Sequence, residues 1–500
     1  MLRAARVRAR LPSRTRSLSV ERKPRARRAR SHWRTLVDVI LRNGTVVTAN
    51  DVYHADVAIE GGVVKRIGTA LLDRAAREVD VRGKLLIPGG VDVHTHCETE
   101  LSGEMSADDW HSSTVQAACG GVTTVVDYAL THPGQSMIEC IEQWDARAKG
   151  KAVIDYGLHP TLMQPSEKTI AEMADVVSEG HTSFKIFMTG LAGFDEHSTK
   201  YVQAIAEAGR LGALVNIHCE DQTCISFHTQ RLEAAGQSDI RHYPDSRPPI
   251  SEGIAAQRAI ALARVADAPI YMVHLSCQES LDAINEARAH GQSVYAETRP
   301  IYLHLSRERF EEKIDPERYV GWPPLRHADQ MAVLWQALDH SVLQTVATDH
   351  IGWSLAQKKK HTKVDELIPG MANLETLIPM LYSEGVRKRR LSLQRFVAVS
   401  STNPSKLMGL YPQKGTIAVG SDADIVVFDP DKQVTIRHAD MHTKQDWELH
   451  EGFEVTGWPV MTLSRGEIIV ENGQVLARPG RGRLLKRKRF ADVRNIQDVR

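Results

Sequence analysis

Six side chains of this 500-residue chain have the types and spacing for metal chemistry: His94, His96, Lys185, His218, His274 and Asp349. His94 and His96 stand two apart in the β-rich run GGVDVHTH. Residues i and i+2 of a strand point to the same side, so both imidazoles can meet one ion. The others lie in or at the ends of further β-rich runs: Lys185 in FKIFM, His218 in LVNIHCE, His274 in PIYMVHLS and Asp349 in TVATDH. A single histidine near a strand end is more often a structural hydrogen-bonding residue, and His159 and His350 are read as structural or as supports behind ligands. An unpaired ammonium inside a fold is costly, so Lys185 needs a reason to sit in an apolar run. One solution is carboxylation by carbon dioxide to N6-carboxylysine, an anionic carbamate whose two oxygens bridge two metals. The other is an ion pair with a buried acid such as Asp349. Four histidines at the ends of neighbouring strands favour the bridge.

Such a set must be assembled by strands far apart in sequence. Short β-rich runs alternate with longer amphipathic helical stretches such as TKYVQAIAEAGRLG over roughly residues 87–408, and the runs number eight. Alternation and count predict an α/β fold, a (β/α)8 TIM-like barrel, with reactive residues at the C-terminal ends of its strands. Flanking it, VDVILRNGTVVTANDVYHADVAIEGGVVKRIG is punctuated by Asn43-Gly44, Asn50-Asp51 and Gly61-Gly62, which is hairpin chemistry. The same texture returns in KGTIAVGSDADIVVFDP and VMTLSRGEIIVENGQVL, so both chain ends are expected to build one smaller β-sandwich domain. The expected division is a basic, disordered leader over 1–36, β-sandwich segments over 37–86 and 409–478, the barrel over 87–408, and a basic tail over 479–500.

Bulk composition narrows the partners. Lys and Arg total 63 against 62 Asp and Glu, so no nucleic-acid partner is expected for the main body. No stretch approaches the ~20 apolar residues of a membrane span. Before Val37 the chain is Arg-rich with the single acid Glu21, which fits an organelle transit peptide, a nucleic-acid arm or an extension without function, but no secretory signal. Six cysteines are too sparse for a disulfide framework and imply a reduced, cytoplasmic protein, organelle targeting by the leader being the alternative. Cys97, Cys219 and Cys277, each close to a candidate ligand, are read as small core residues.

The segments GGVDVHTHCETELSGEMSADDW, GGVTTVVDY, FKIFM, NIHCED, VHLS, PPLR, ATDH and NPSKLMGLYPQKGTIAVGSDADIVVFDP stand in the order and spacing of one family. From about residue 37 onward the chain resembles the cyclic amidohydrolases of the amidohydrolase superfamily, most closely the hydantoinase and dihydropyrimidinase branch. The resemblance implies two Zn2+ per subunit, other divalent metals being alternatives. One is held by His94, His96 and Asp349, the other by His218 and His274, with carboxylated Lys185 between them. It implies hydrolysis of a small cyclic amide by a metal-bridging hydroxide, Asp349 taking the proton and returning it to the departing nitrogen. It also implies a homotetramer or homodimer in which the tail segment GRGRLLKRKRF reaches a neighbour; a solvated tail is the other reading of that segment.

Departures from the branch fall in the substrate pocket. Gly190 stands where a Tyr oxyanion donor is usual, Arg299 replaces the Cys of ETCPxYL, and Trp322 replaces a small residue before PPLR. Arg299 would either grip a substrate carboxylate or pair with an acid such as Glu297; Trp322 would reshape the pocket toward flat or aromatic ring substituents. Cys97 and Glu98 after His96 replace the HxHxR arrangement of dihydroorotases. The alternatives are the same metal site acting on another amide, lactam or lactone, in the manner of an allantoinase or N-acyl amidase, and a non-catalytic dihydropyrimidinase-like scaffold.

Overall fold

The computed structural model describes residues 36–493. The expected leader therefore lies, but for Leu36, outside the described residues. Strands β1 (Leu36–Val47), β2 (Val52–Glu60), β3 (Val63–Gly68), β4 (Arg74–Asp80) and β5 (Leu85–Pro88) open the chain. The barrel follows with β6 (Gly90–Thr95), the small hairpin β7 (Glu100–Leu101) and β8 (Glu104–Met105), then β9 (Val122–Ala129), β10 (Asp155–Pro160), β11 (Ser183–Phe187), β12 (Leu214–His218), β13 (Ile270–Met272), β14 (Val294–Thr298) and β15 (Thr345–Val346). The chain returns to the first domain with β16 (Ile425–Thr435), β17 (Glu454–Ser464), β18 (Glu467–Glu471) and β19 (Gln474–Val475).

Eight parallel strands form a closed ring. β6, β9 and β10 make one arc and β11 to β15 another. The seams are parallel bridges, Thr161 to Lys185 and Thr95 to His350, with Leu162 N–H donating to Lys185 O at 2.8 Å and His96 N–H to His350 O at 2.9 Å. Every residue of β6, β9, β10, β11 and β12 is buried, because one face fills the barrel and the other meets helices. Those helices include α1 (Trp110–Cys119), α2 (Met137–Ala148), α3 (Glu167–Ser178), α4 (Ser198–Arg210) and α5 (Gln222–Ala234). On α4 the buried residues Tyr201, Ala204, Ile205 and Ala208 follow the i, i+3, i+4, i+7 stripe of a helix lying on a sheet. Asp221 caps α5, accepting from Cys224 N at 2.9 Å, and so leaves His218 and Glu220 at the strand's C-terminal rim.

Strands from both chain ends share one nine-stranded sheet, with the path β19-β18-β17-β16-β5-β1-β2-β3 and β4 beside β1. It folds back on itself: Val63 bridges Asp422, and Val39, Leu41, Val57, Ile59, Ile425 and Leu463 pack in the core between. Lys414, buried, ties this domain to the barrel through Asp155 (2.7 Å), Asp424 (2.8 Å) and Asp422 (2.9 Å).

The segment GRGRLLKRKRF is not a solvated tail: it docks on its own barrel. Arg483 and Leu485 hydrogen-bond the backbone of Tyr156, and buried Arg487 donates to Ser183 Oγ and Leu158 O, both at 2.7 Å. Leu485 and Phe490 join Val91, Val126, Leu214 and Tyr271 in one apolar cluster. The segment packs on the base of its own barrel because Leu485, Arg487 and Phe490 are buried there while Lys486, Lys488 and Arg489 stay exposed. Gly409 permits the approach: its φ is +72°, and a Cβ there would stand 1.9 Å from Lys488 O.

Candidate active site

The six side chains singled out in the sequence meet at the C-terminal mouth of the barrel. His94 Nε2 and His96 Nε2 each lie 3.1 Å from Asp349 Oδ1. The His274 ring is 5.4 Å from that of His94 and 4.5 Å from that of His218. Lys185 Nζ is buried with no hydrogen-bond partner, 4.7 Å from the centre of the Tyr128 ring and 5.0 Å from that of Phe187. Burial pulls its amine down to about 8, against the attraction of Asp349 and Glu297. His274 Nδ1 is buried and unpartnered as well. Both His274 (φ +45°) and Asp349 (φ +52°) hold left-handed backbone conformations unusual outside glycine, strain of the kind that accumulates at functional sites.

Carboxylates behind the ring fix which nitrogen each imidazole presents. Glu297 contacts His94 Nδ1 and accepts from His274 N at 3.1 Å and Tyr271 OH at 2.6 Å, so Nε2 of His94 is the atom turned to the centre. Glu220 Oε2 lies 2.9 Å from His218 Nε2 and accepts from Arg247 at 2.6 Å, so His218 turns Nδ1 inward. His159, stacked on Tyr128 at 4.7 Å, touches Ser183 Oγ and Val93 O. His350 accepts from Asn373 N at 3.3 Å. Glu220, Arg247 and the role of Glu297 escaped the sequence reading; the i, i+2 relation of His218 and Glu220 was the available signal.

Two pocket expectations are corrected. Arg299 does not line the cavity and does not pair with Glu297. The strand ends at Thr298, a 3-10 turn begins at Pro300, and the guanidinium turns behind the site, donating through Nε to Thr348 O at 3.1 Å and standing 3.2 Å from Asp349 Oδ2. Burial pushes the Asp349 carboxyl up, but His94 and Arg299 hold it well below the usual carboxylate range. Gly190 likewise opens a 3-10 turn, donates to Gln222 Oε1 at 2.9 Å, and leaves the wall to Leu191. Trp322 does line the cavity, together with Leu101, Leu130, Phe187, Leu191 and Ile351. Its outer face carries the Arg247 guanidinium 4.6 Å from the ring centre. The cavity thus has a polar floor and apolar walls.

Donor atoms of His94, His96 and Asp349 lie within 4.8 Å of one another. With the orphaned Lys185 Nζ and His274 Nδ1 beside them, these imidazole nitrogens and the carboxylate are a donor set suited to a divalent metal.

Comparison with known proteins agrees with that chemistry. The amidohydrolase family model matches residues 85–469. The chain is 39% identical to the D-hydantoinase of Ralstonia pickettii over 91% of its own length and 100% of that protein's. It is 37% identical to a D-phenylhydantoinase of Escherichia coli over 90% and 98%. The crystal structure of dihydropyrimidinase from Brevibacillus agri superposes with a TM-score of 0.88 at 42% identity, covering 90% of this chain and 99% of that one. The chain with this histidine, lysine and aspartate cluster therefore belongs to the amidohydrolase family.

Proposed function

We propose that the protein hydrolyses the ring amide C–N bond of a small cyclic amide, of the hydantoin or dihydropyrimidine type, at the mouth of its barrel. The observation that carries this reading is Lys185: a buried amine with no hydrogen-bond partner, surrounded by four histidines and Asp349. In the proposed site His94, His96 and Asp349 would hold one zinc ion and His218 and His274 a second, with Lys185 as its carbamate a further ligand. Such ions supply Lewis acidity toward the amide carbonyl and acidify a water for attack.

The chain's own residues do the rest. Asp349 Oδ1, fixed between two imidazoles, accepts the proton of the attacking water and returns it to the leaving ring nitrogen. Arg299 holds the other carboxylate oxygen, so the proton moves at a fixed point. Glu297 and Glu220 keep His94 and His218 in one tautomer each. Trp322, Leu191 and Phe187 shield the floor from bulk water and receive the substituent of the ring. The expected product is an N-carbamoyl amino acid. A homotetrameric or homodimeric assembly and a cytoplasmic location belong to the same proposal.

His94→Ala tests it: bound zinc falls and ring opening is lost, whereas full activity in a metal-depleted variant sinks the site. A panel of hydantoins, dihydrouracil, allantoin and linear N-acyl amino acids tests the substrate class, and turnover of linear substrates alone excludes ring opening.

A further inference from the structure

A second cluster of metal-ligating side chains stands apart from the barrel mouth. Cys119 closes α1, Glu375 follows the last barrel strand, and His442 lies in the connection between β16 and β17. Cys119 and His442 are 323 residues apart, yet one donor atom from each of the three lies within 4.8 Å of the other two. Cys119 Sγ is 3.7 Å from His442 Nε2. Glu375 Oε1 lies 2.9 Å from His442 Nδ1, and Oε2 accepts from the His442 backbone N–H at 2.9 Å. Cys119 and Glu375 are buried, while the His442 side chain keeps 28% of its surface exposed.

The backbone is shaped for this meeting. A Cβ on Gly120 would stand 2.4 Å from Glu375 O, so only glycine after Cys119 lets the end of α1 approach that segment. The His442 connection is anchored independently: Thr443 Oγ1 and Lys444 N each donate to Asp108 at 2.8 Å, and Gln445 Oε1 accepts from Ala372 N at 3.1 Å.

We propose that Cys119 Sγ and His442 Nε2 hold one thiophilic divalent cation of the zinc type, separate from the barrel centre, with Glu375 orienting His442 through Nδ1 from the far side of its ring and the open positions on the exposed side of His442. Sulfur and nitrogen ligands of a tetrahedral zinc ion stand about 3.5 Å apart, given Zn–S and Zn–N bonds of about 2.3 and 2.0 Å, close to the observed separation. Thiolate and carboxylate together balance a dication, and the thiol proton leaves to solvent as the metal enters. The ion would clip α1 to the β16–β17 connection, which Glu375 in turn ties to the segment after β15.

Cobalt substitution of the full chain reads this directly, because a thiolate on Co2+ gives a near-ultraviolet charge-transfer band that nitrogen and oxygen ligands cannot. The expected result is that band in the parent protein, and its loss with one cobalt fewer per chain in Cys119→Ser and, separately, in His442→Gln, at a partly exposed position. No thiolate band in the parent overturns the proposal. So does a band and cobalt content unchanged in Cys119→Ser, which would place the sulfur at another cysteine.

Discussion

Glu297 carries its negative charge among His94, His274 and Tyr271, with no exposure to solvent. It touches no proposed reacting atom, yet it determines which nitrogen His94 turns inward. Glu297→Gln keeps the shape and removes the charge, so zinc affinity and activity should each fall by ~10–100-fold, the usual cost of losing a carboxylate behind a metal-binding histidine; zinc titration and steady-state rates check this. His181 gives a residue-scale prediction of another kind. Burial, reinforced by Arg487, pulls its imidazole down to about 4. The unfolded chain, titrating near 6.5, therefore binds a proton between those values that the folded chain refuses. Stability from this group is full above about pH 6.5 and is lost as pH falls toward 4, on the order of 3 kcal/mol in total. Urea midpoints measured across that window should slope less steeply in His181→Gln.

Strand ends decide what was legible in the sequence. His94, Lys185 and His218 lie within strands, where side-chain direction follows a period of two and needs only local information, whereas His96, His274 and Asp349 stand just past their strands' ends and were legible through the family motifs that contain them. Arg299 and Gly190 were misplaced because each sits where a strand gives way to a 3-10 turn, beyond which that period no longer tells direction. Glu220 and Glu297 were visible as letters, but their partners come from neighbouring strands or helices whose approach no single run reveals. The same turns build the specificity wall. Leu191 from the turn after β11 and Trp322 from the loop after β14 make one side of the cavity apolar, and the nearest cation on that side, Arg247, is already paired with Glu220. Hydantoins bearing alkyl or aryl groups should therefore be turned over at higher kcat/KM than those bearing a carboxylate. Trp322→Ala should cost about 1–3 kcal/mol of transition-state binding for aryl substrates, a 10–200-fold loss, with a smaller effect on unsubstituted rings. Equal kcat/KM across the series would show that the wall does not touch the substituent.

At the scale of the molecule, the barrel, the folded-back sheet and the tail pack as one compact unit. The α/β alternation and the hairpin texture at both ends announced a barrel with a β-rich companion, and the family's chains of known structure share that architecture. The path of the tail was not announced, since a run dominated by cations reads equally as solvated. Arg487 is its keystone. Arg487→Ala leaves Ser183 Oγ and Leu158 O without their charged donor and should cost ~2–3 kcal/mol, visible as a lower denaturation midpoint with the ring-opening KM unchanged. Among the described residues no helix is long and apolar enough to cross a membrane.

The pairing of β5 with β16 has a consequence for how the polypeptide is made. Strands β1 to β5 emerge first during synthesis, but the partner that completes their sheet lies more than three hundred residues downstream. On a ribosome adding about 5–20 residues per second, Leu86, Val57 and Ile59 wait roughly a quarter to one minute for Ile425 and Leu463. Throughout that interval an unfinished edge strand is offered to any other nascent copy nearby, so slower elongation or a pause in the barrel region should shift the yield from native protein toward aggregate, and chaperone supply should restore it.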